Sequence, residues 1–237
     1  MSNPTLFRLR IAYAKQERGR FLSHLEVQRA LTRTVRRSGL PYAVSQGFNP
    51  QMRLATGPAL SVAVSGAREY CDLILTSYVK PMDALLRLTE VQTAFLPVLD
   101  TAYVGLKEPS LNAAITAQEI CVTIEGAPDV YTEQALLAGL AALRACDSLE
   151  VEHKSGKTKV FDSATHVPKD ARVVIKGSTV QMTLMLRISP QGSLRPDALL
   201  TCLWQAANLP APKRGQLELS RVALYVENEE GELHLPL

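Results

Sequence analysis

The sequence predicts an α+β chain made of two consecutive βαββαβ units, a tandem ferredoxin-like arrangement with antiparallel sheets. Three observations predict it. Short segments with apolar residues at every second position alternate with longer ones at helical spacing. The order strand, helix, strand, strand, helix, strand occurs twice along 237 residues. Glycine punctuates the middle strand pair of each unit, as hairpins require. The two domains are expected at residues 1–110 and 111–237, joined near Lys107 to Ala117; the repeat is one of element order, not of residues.

Phe7 to Ala14 sets Phe7, Leu9, Ile11 and Tyr13 against Arg8, Arg10, Ala12 and Ala14, a half-buried strand with two arginines on its other face. A helix follows from His24 to Ser38. Ser23 is its N-cap, Glu26 completes a capping box and Leu22 can staple onto Val27. Gly39 supplies the C′ position and Pro41 prevents continuation. Val27, Leu31 and Val35 should face a core. Tyr42 to Gly57 is a long loop rich in turn-formers, and such loops usually carry function. Ala59 to Ser65 and Glu69 to Ser77 read as a hairpin across Gly66. Met82 to Thr93 is a helix opened by Pro81, and Phe95 to Leu106 a strand. In the second unit the strands are Gln118 to Glu125, Leu149 to His153, Val173 to Lys176, Val180 to Ile188 and Leu217 to Val226. Helices lie at Thr132 to Cys146 and Arg195 to Ala207. Lys154 to Lys159 reads as a basic hairpin tip, Thr165 to Asp170 as a polar loop, and Glu232 to Leu237 as an edge strand or tail.

Hydrophobic content of 46% and charged content of 21% fit a globular protein with a sizeable core. The chain has no apolar run near the length of a membrane span and no secretory leader pattern, so no membrane partner is expected. Cys71, Cys121, Cys146 and Cys202 are scattered without short pairing. That points to a cytoplasmic, reducing location and against a metal site. No nucleotide-binding loop, serine-nucleophile elbow or paired-cysteine cluster is present, so no cofactor is expected. The net charge of +3 hides an asymmetry. Residues 1–56 hold ten basic side chains against Glu17 and Glu26, whereas the remainder holds 16 basic and 21 acidic ones. Nine of the ten are arginines, the residue suited to bidentate contact with phosphate.

The candidate site follows from that asymmetry. Arg29, Arg33, Arg36 and Arg37 recur at three- and four-residue spacing off the apolar stripe, where like charges repel by a few tenths of a kcal/mol per pair. With Arg20 and Arg53 they form an expected phosphate-binding surface, against the plainer reading of a solvated helix face. In the loop, Gln46 and Asn49 can pair with a base edge and Phe48 can stack on a base. The competing reading is a structural turn with Phe48 plugged into the core. His24, at the first turn of the helix, is either a local capping partner, a phosphate donor or an acid–base group. His153, His166 and His234 share no metal-site spacing with it.

Over Arg20, Phe21, Ser23, His24, Leu25 and Glu26, the arginine-rich helix, Gly39-Leu40-Pro41, Ser45 to Pro50 and Pro58 to Val64, the chain resembles the radical-SAM-linked proteins, an uncharacterised bacterial family. The likeness is specific over roughly the first third, with Ala63 where a glycine is common. Some members are fused to, or encoded beside, a radical SAM enzyme. The resemblance implies a separate subunit serving such an enzyme, since this chain lacks the three-cysteine cluster motif. The expected function is therefore an RNA-binding accessory domain for an RNA-modifying enzyme acting on transfer or ribosomal RNA. Its expected contacts are Arg20, His24, Arg29, Arg33, Arg36, Arg37, Gln46, Phe48, Asn49 and Arg53. Two alternatives stand beside it. One is a metal-independent endoribonuclease of the CRISPR-processing type using His24, a fold-level analogy. The other is an interaction module whose arginine face docks the radical SAM partner.

Overall fold

The fold was obtained as a computed structural model that describes residues 5–152, 156, 158–189, 193–213 and 215–237. His153 and residues 154, 155 and 157 of the expected tip at Lys154 to Lys159 fall outside them. The chain divides into two compact units: Met1–Ile115 with Ala223–Leu237, and Thr116–Val222. It is α+β, and every strand register described is antiparallel. No helix of the described residues is long and apolar enough to cross a membrane.

In the first unit, β1 (Phe7–Lys15), α1 (His24–Arg37), β2 (Leu54–Thr56), β3 (Val64–Leu75), α2 (Pro81–Val91) and β4 (Val98–Val104) follow in order. A 3-10 turn at Glu17–Phe21 leads from β1 into α1. β1 pairs with β3 on one side and β4 on the other, and β2 adds to the far edge of β3, giving the order β4-β1-β3-β2. Leu9, Ile11 and Tyr13 of β1 and Cys71, Leu73 and Leu75 of β3 form one buried layer with Val27, Leu31 and Val35 of α1 and Ala84 and Leu88 of α2. Burial pushes the Cys71 thiol far above its ordinary range, because the thiolate would lose its solvation.

The opposite face of β1 corrects the sequence reading. Arg8 and Arg10 are buried rather than part of an exposed positive field. The cause is Asp72 on the paired strand, opposite Arg10 in register. Its Oδ2 accepts from Arg8 Nη2 at 2.5 Å and Nε at 2.8 Å, and its Oδ1 from Arg10 Nε at 2.8 Å. Arg8 also donates to the carbonyls of Glu108 and Pro109, both at 2.8 Å, and Arg10 to that of Pro236 at 3.0 Å.

A second correction concerns Ala59 to Ser65. Most of it lies outside any strand, with a turn at Val62 and Ala63, and β3 runs unbroken through Gly66 from Val64. Ala63 takes a left-handed φ of 69° within that turn, which no strand residue adopts. The alternation of Leu60, Val62 and Val64 therefore imitates a strand, and Val62 is exposed.

α3 (Leu111–Ala114) closes the first stretch of the first unit, and β5 (Ile115–Ile124), followed by α4 (Glu133–Ala145), begins the run of the second. A separate hairpin, β6 (Ser148–Glu152) with β7 (Thr158–Asp162), and the short α5 (Ser163–His166) come next. β8 (Ala171–Lys176), β9 (Thr179–Arg187), α6 (Pro196–Ala206) and β10 (Leu217–Glu227) complete the run. Lys159 thus sits in a strand rather than a loop tip, and Thr165 and His166 of the loop expected at Thr165 to Asp170 lie in α5. The strand order is β10-β5-β9-β8. The end of β10 from Ala223 and β11 (Leu233–His234), which pair through Val226 and Glu227, belong to the first unit. Gly139 lets α4 approach α6: a Cβ there would lie 2.7 Å from Ala207 Cβ and 2.8 Å from Leu203 Cδ1. Gly139→Ala is expected to destabilise by about 1–3 kcal/mol, although alanine is the better helix former. Chemical denaturation of the two proteins checks this.

Candidate nucleic-acid interface

α1 begins and ends where its sequence dictates. Ser23 N–H and Oγ–H donate to Glu26 Oε2 at 2.8 and 2.7 Å, and Glu26 N–H donates back to Ser23 Oγ at 3.4 Å. These bonds hold the Glu26 carboxyl below its ordinary range. The contribution of that carboxylate is therefore present above the ordinary carboxylate range and lost as pH falls through the lowered value. Ser23→Ala is expected to cost about 1 kcal/mol at neutral pH, read as a lower denaturation midpoint. At the other end Gly39 takes φ 67°, the left-handed C′ position.

With Val27, Ala30, Leu31, Thr34 and Val35 buried, helical geometry turns Arg29, Arg33 and Arg36 to solvent. They line one wall of a groove of about 510 Å³, together with Leu25, Gln28 and Thr32. Gln51, Met52 and Leu54 form the other wall. None of Arg29, Arg33 and Arg36 forms an ion pair with a described residue. Glu26, the acidic residue on the helix, is hydrogen-bonded to Ser23 and feels the charge of Arg29 only at longer range.

The opposing wall is a tight hairpin laid along β3. Ala43 N–H donates to the Ile74 carbonyl at 2.7 Å, and Ile74 N–H to that of Arg53 at 3.0 Å. Arg53 N–H bonds the Ala43 carbonyl at 2.9 Å, and Val44 bridges Met52. The turn between them is pinned too. Ser45 N–H donates to the Gln51 carbonyl at 2.7 Å, Gln51 N–H to Ser45 Oγ at 3.0 Å, and Gln51 Nε2 to Asn49 Oδ1 at 2.9 Å. Phe48 sits at the tip with a relative exposure of 113%, so it is not plugged into the core. Ala43, Val44, Ser45, Gln46 and Arg53, with Thr5, Leu6, Thr76 and Leu106, line a second groove of about 810 Å³.

The expected site residues thus separate. Arg29, Arg33 and Arg36 share the first groove, whereas Gln46 and Arg53 line the second. Phe48 and Asn49 lie in the turn joining the strands that border both. Arg37 points elsewhere: its Nη2 donates to the Val91 carbonyl at 2.6 Å, at the end of α2. Arg20 lies over the Phe21 ring at 5.0 Å. His24 Nε2 lies 3.2 Å from Thr56 Oγ1 and lines a pocket of about 10 Å³ with Tyr13, Lys15 and Glu69. That is room for about one water. The sequence reading missed Gln28, Thr32 and Met52. Gln28 and Thr32 stand at four-residue spacing with Arg36, a periodicity that places them on one face; Met52 carries no such signal.

Fold and groove together define an α+β protein with a cationic groove that, among the described residues, is lined by no carboxylate. The chain belongs to DUF2344, described as an uncharacterized protein conserved in bacteria, whose family model matches residues 8–196. No curated protein matches it in sequence. Among solved structures it is similar to a chain of a Cbf5-Nop10-Gar1 complex, at 10% identity and a TM-score of 0.48, covering 90% of this chain. It spans about half (48%) of that chain's length. It is also similar to an unknown protein from Galdieria sulphuraria, at 10% identity and a TM-score of 0.26, covering 92% of this chain and 100% of that one. At these values neither likeness bears on function.

Proposed function

We propose that the chain is a cytoplasmic RNA-binding accessory protein built of two ferredoxin-like domains, serving a radical SAM type enzyme that modifies transfer or ribosomal RNA. The run β4-β1-β3 with β2 paired to β3, and the run β10-β5-β9-β8, support the tandem reading. One observation carries the functional reading. Arg29, Arg33 and Arg36 line a single groove and form no ion pair with a described residue. A groove of this kind keeps its guanidinium forks available to a polyanion and gains affinity by releasing counterions. The burial of Arg8 and Arg10 concentrates the exposed charge on the α1 side. The radical SAM partner rests on the resemblance over the first third of the chain. His24, held near Thr56 beside a pocket the size of one water, acts in this reading as a positioning residue rather than a cleavage base.

The test is to purify the tagged protein from its host with and without nuclease treatment, sequencing retained RNA and identifying retained proteins. Discrete transfer or ribosomal RNA species, lost on nuclease treatment, support the proposal. A radical SAM enzyme retained equally after nuclease, with no RNA, favours the protein-docking alternative and overturns RNA binding.

A further inference from the structure

We infer that the RNA taken by this site is unpaired, and that a single strand crosses the tip of the 43–53 hairpin with a base stacked on Phe48. The inference rests on the RNA-binding reading and adds to it the class of RNA. Three observations carry it. First, Phe48 is a large apolar side chain left wholly in solvent, on a turn that is pinned rather than loose. A side chain so placed gains nothing for the fold, and both faces of its ring are open to a stacking partner. Second, the arginine groove is not lined by cations alone. Leu25, Met52 and Leu54 share it, an apolar complement suited to base faces and not to the hydrated phosphate ridge of a duplex. Third, the hairpin separates two sets of polar groups. Arg29, Arg33 and Arg36 stand in one groove, and Gln46 and Arg53 in the other.

A strand running from one groove to the other places phosphates on the helix arginines, a base on Phe48 at the crossing, and the next nucleotide beside Gln46 and Arg53. Base pairs inside a duplex present no face to Phe48, because both faces are stacked within the helix. Double-stranded RNA is met through its backbone and 2′-hydroxyls instead.

The experiment compares a labelled single-stranded oligoribonucleotide with the blunt duplex it forms with its complement, by fluorescence anisotropy at fixed low salt. The single strand is expected to bind about tenfold more tightly, the gain one stacked base supplies. Phe48→Ala should remove about that factor for the single strand and leave duplex affinity unchanged, while Phe48→Trp restores it. Since Phe48 touches solvent alone, the melting temperature of Phe48→Ala should match that of the parent. Equal affinity for both RNAs, or an equal loss on both in Phe48→Ala, overturns the inference while leaving RNA binding standing. Phe48-dependent binding to vesicles of anionic phospholipid, with none to either RNA, overturns both.

Discussion

Asp72→Ala should lower the free energy of unfolding by about 3–5 kcal/mol, the cost of stranding buried charge. Asp72 is 4% exposed, and its two carboxylate oxygens are the common acceptor for Arg8 and Arg10, themselves 8% and 4% exposed. Removing it leaves two guanidinium groups side by side in a dry setting, each losing its counter-charge and gaining a repulsive neighbour. The remaining acceptors, the carbonyls of Glu108, Pro109 and Pro236, satisfy donors but do not neutralise charge. Denaturant titration at neutral pH measures the loss. The converse variant is as informative. Replacing Arg8, Arg10 and Asp72 together by methionine, methionine and leucine should recover most of it, because a buried ion cluster is worth little more than well-packed apolar residues. Full destabilisation in that triple variant would show that geometry, not charge, is what the cluster supplies.

The second large effect concerns the groove. Changing Arg29, Arg33 and Arg36 together to alanine is expected to reduce RNA affinity about 100-fold at low salt, with stability unchanged or raised by a few tenths of a kcal/mol as like-charge repulsion along α1 is relieved. Changing all three to glutamate should abolish binding. Arg37 is left out by design, because its bond to the Val91 carbonyl ties α1 to the end of α2 and its removal would confound fold with function. A triple variant that unfolds would mean that the three side chains pack rather than face solvent. An unfolding midpoint at or above that of the parent separates the two.

α1 was legible almost to the residue, because its signals are local: a capping box, a four-residue apolar stripe and Gly39 at the C′ position all lie within the helix or next to it. The arginine wall was legible for the same reason, since helical spacing alone places Arg29, Arg33 and Arg36 together. Arg8 and Arg10 were misread as exposed. Their neutralising partner lies more than sixty residues along the chain, and only the pairing of β1 with β3 brings it opposite. The segment from Ala59 to Ser65 was misread because period-two spacing does not report φ, and Ala63 takes a left-handed turn conformation. Phe48 was undecided for a related reason. A lone aromatic in a polar loop has no periodicity, so its direction depends on the hydrogen bonds of Ser45, Asn49 and Gln51 that pin the turn.

The most direct test of the central claim is the slope of log affinity against log salt, measured for RNA with the parent protein and with the Arg29/Arg33/Arg36 triple alanine variant. Each phosphate contact on a single strand contributes about 0.7 of a unit of slope, so the parent should be steeper by about two. A parent whose affinity does not fall with salt, or two proteins with the same slope, would contradict the assignment of this groove to the RNA backbone.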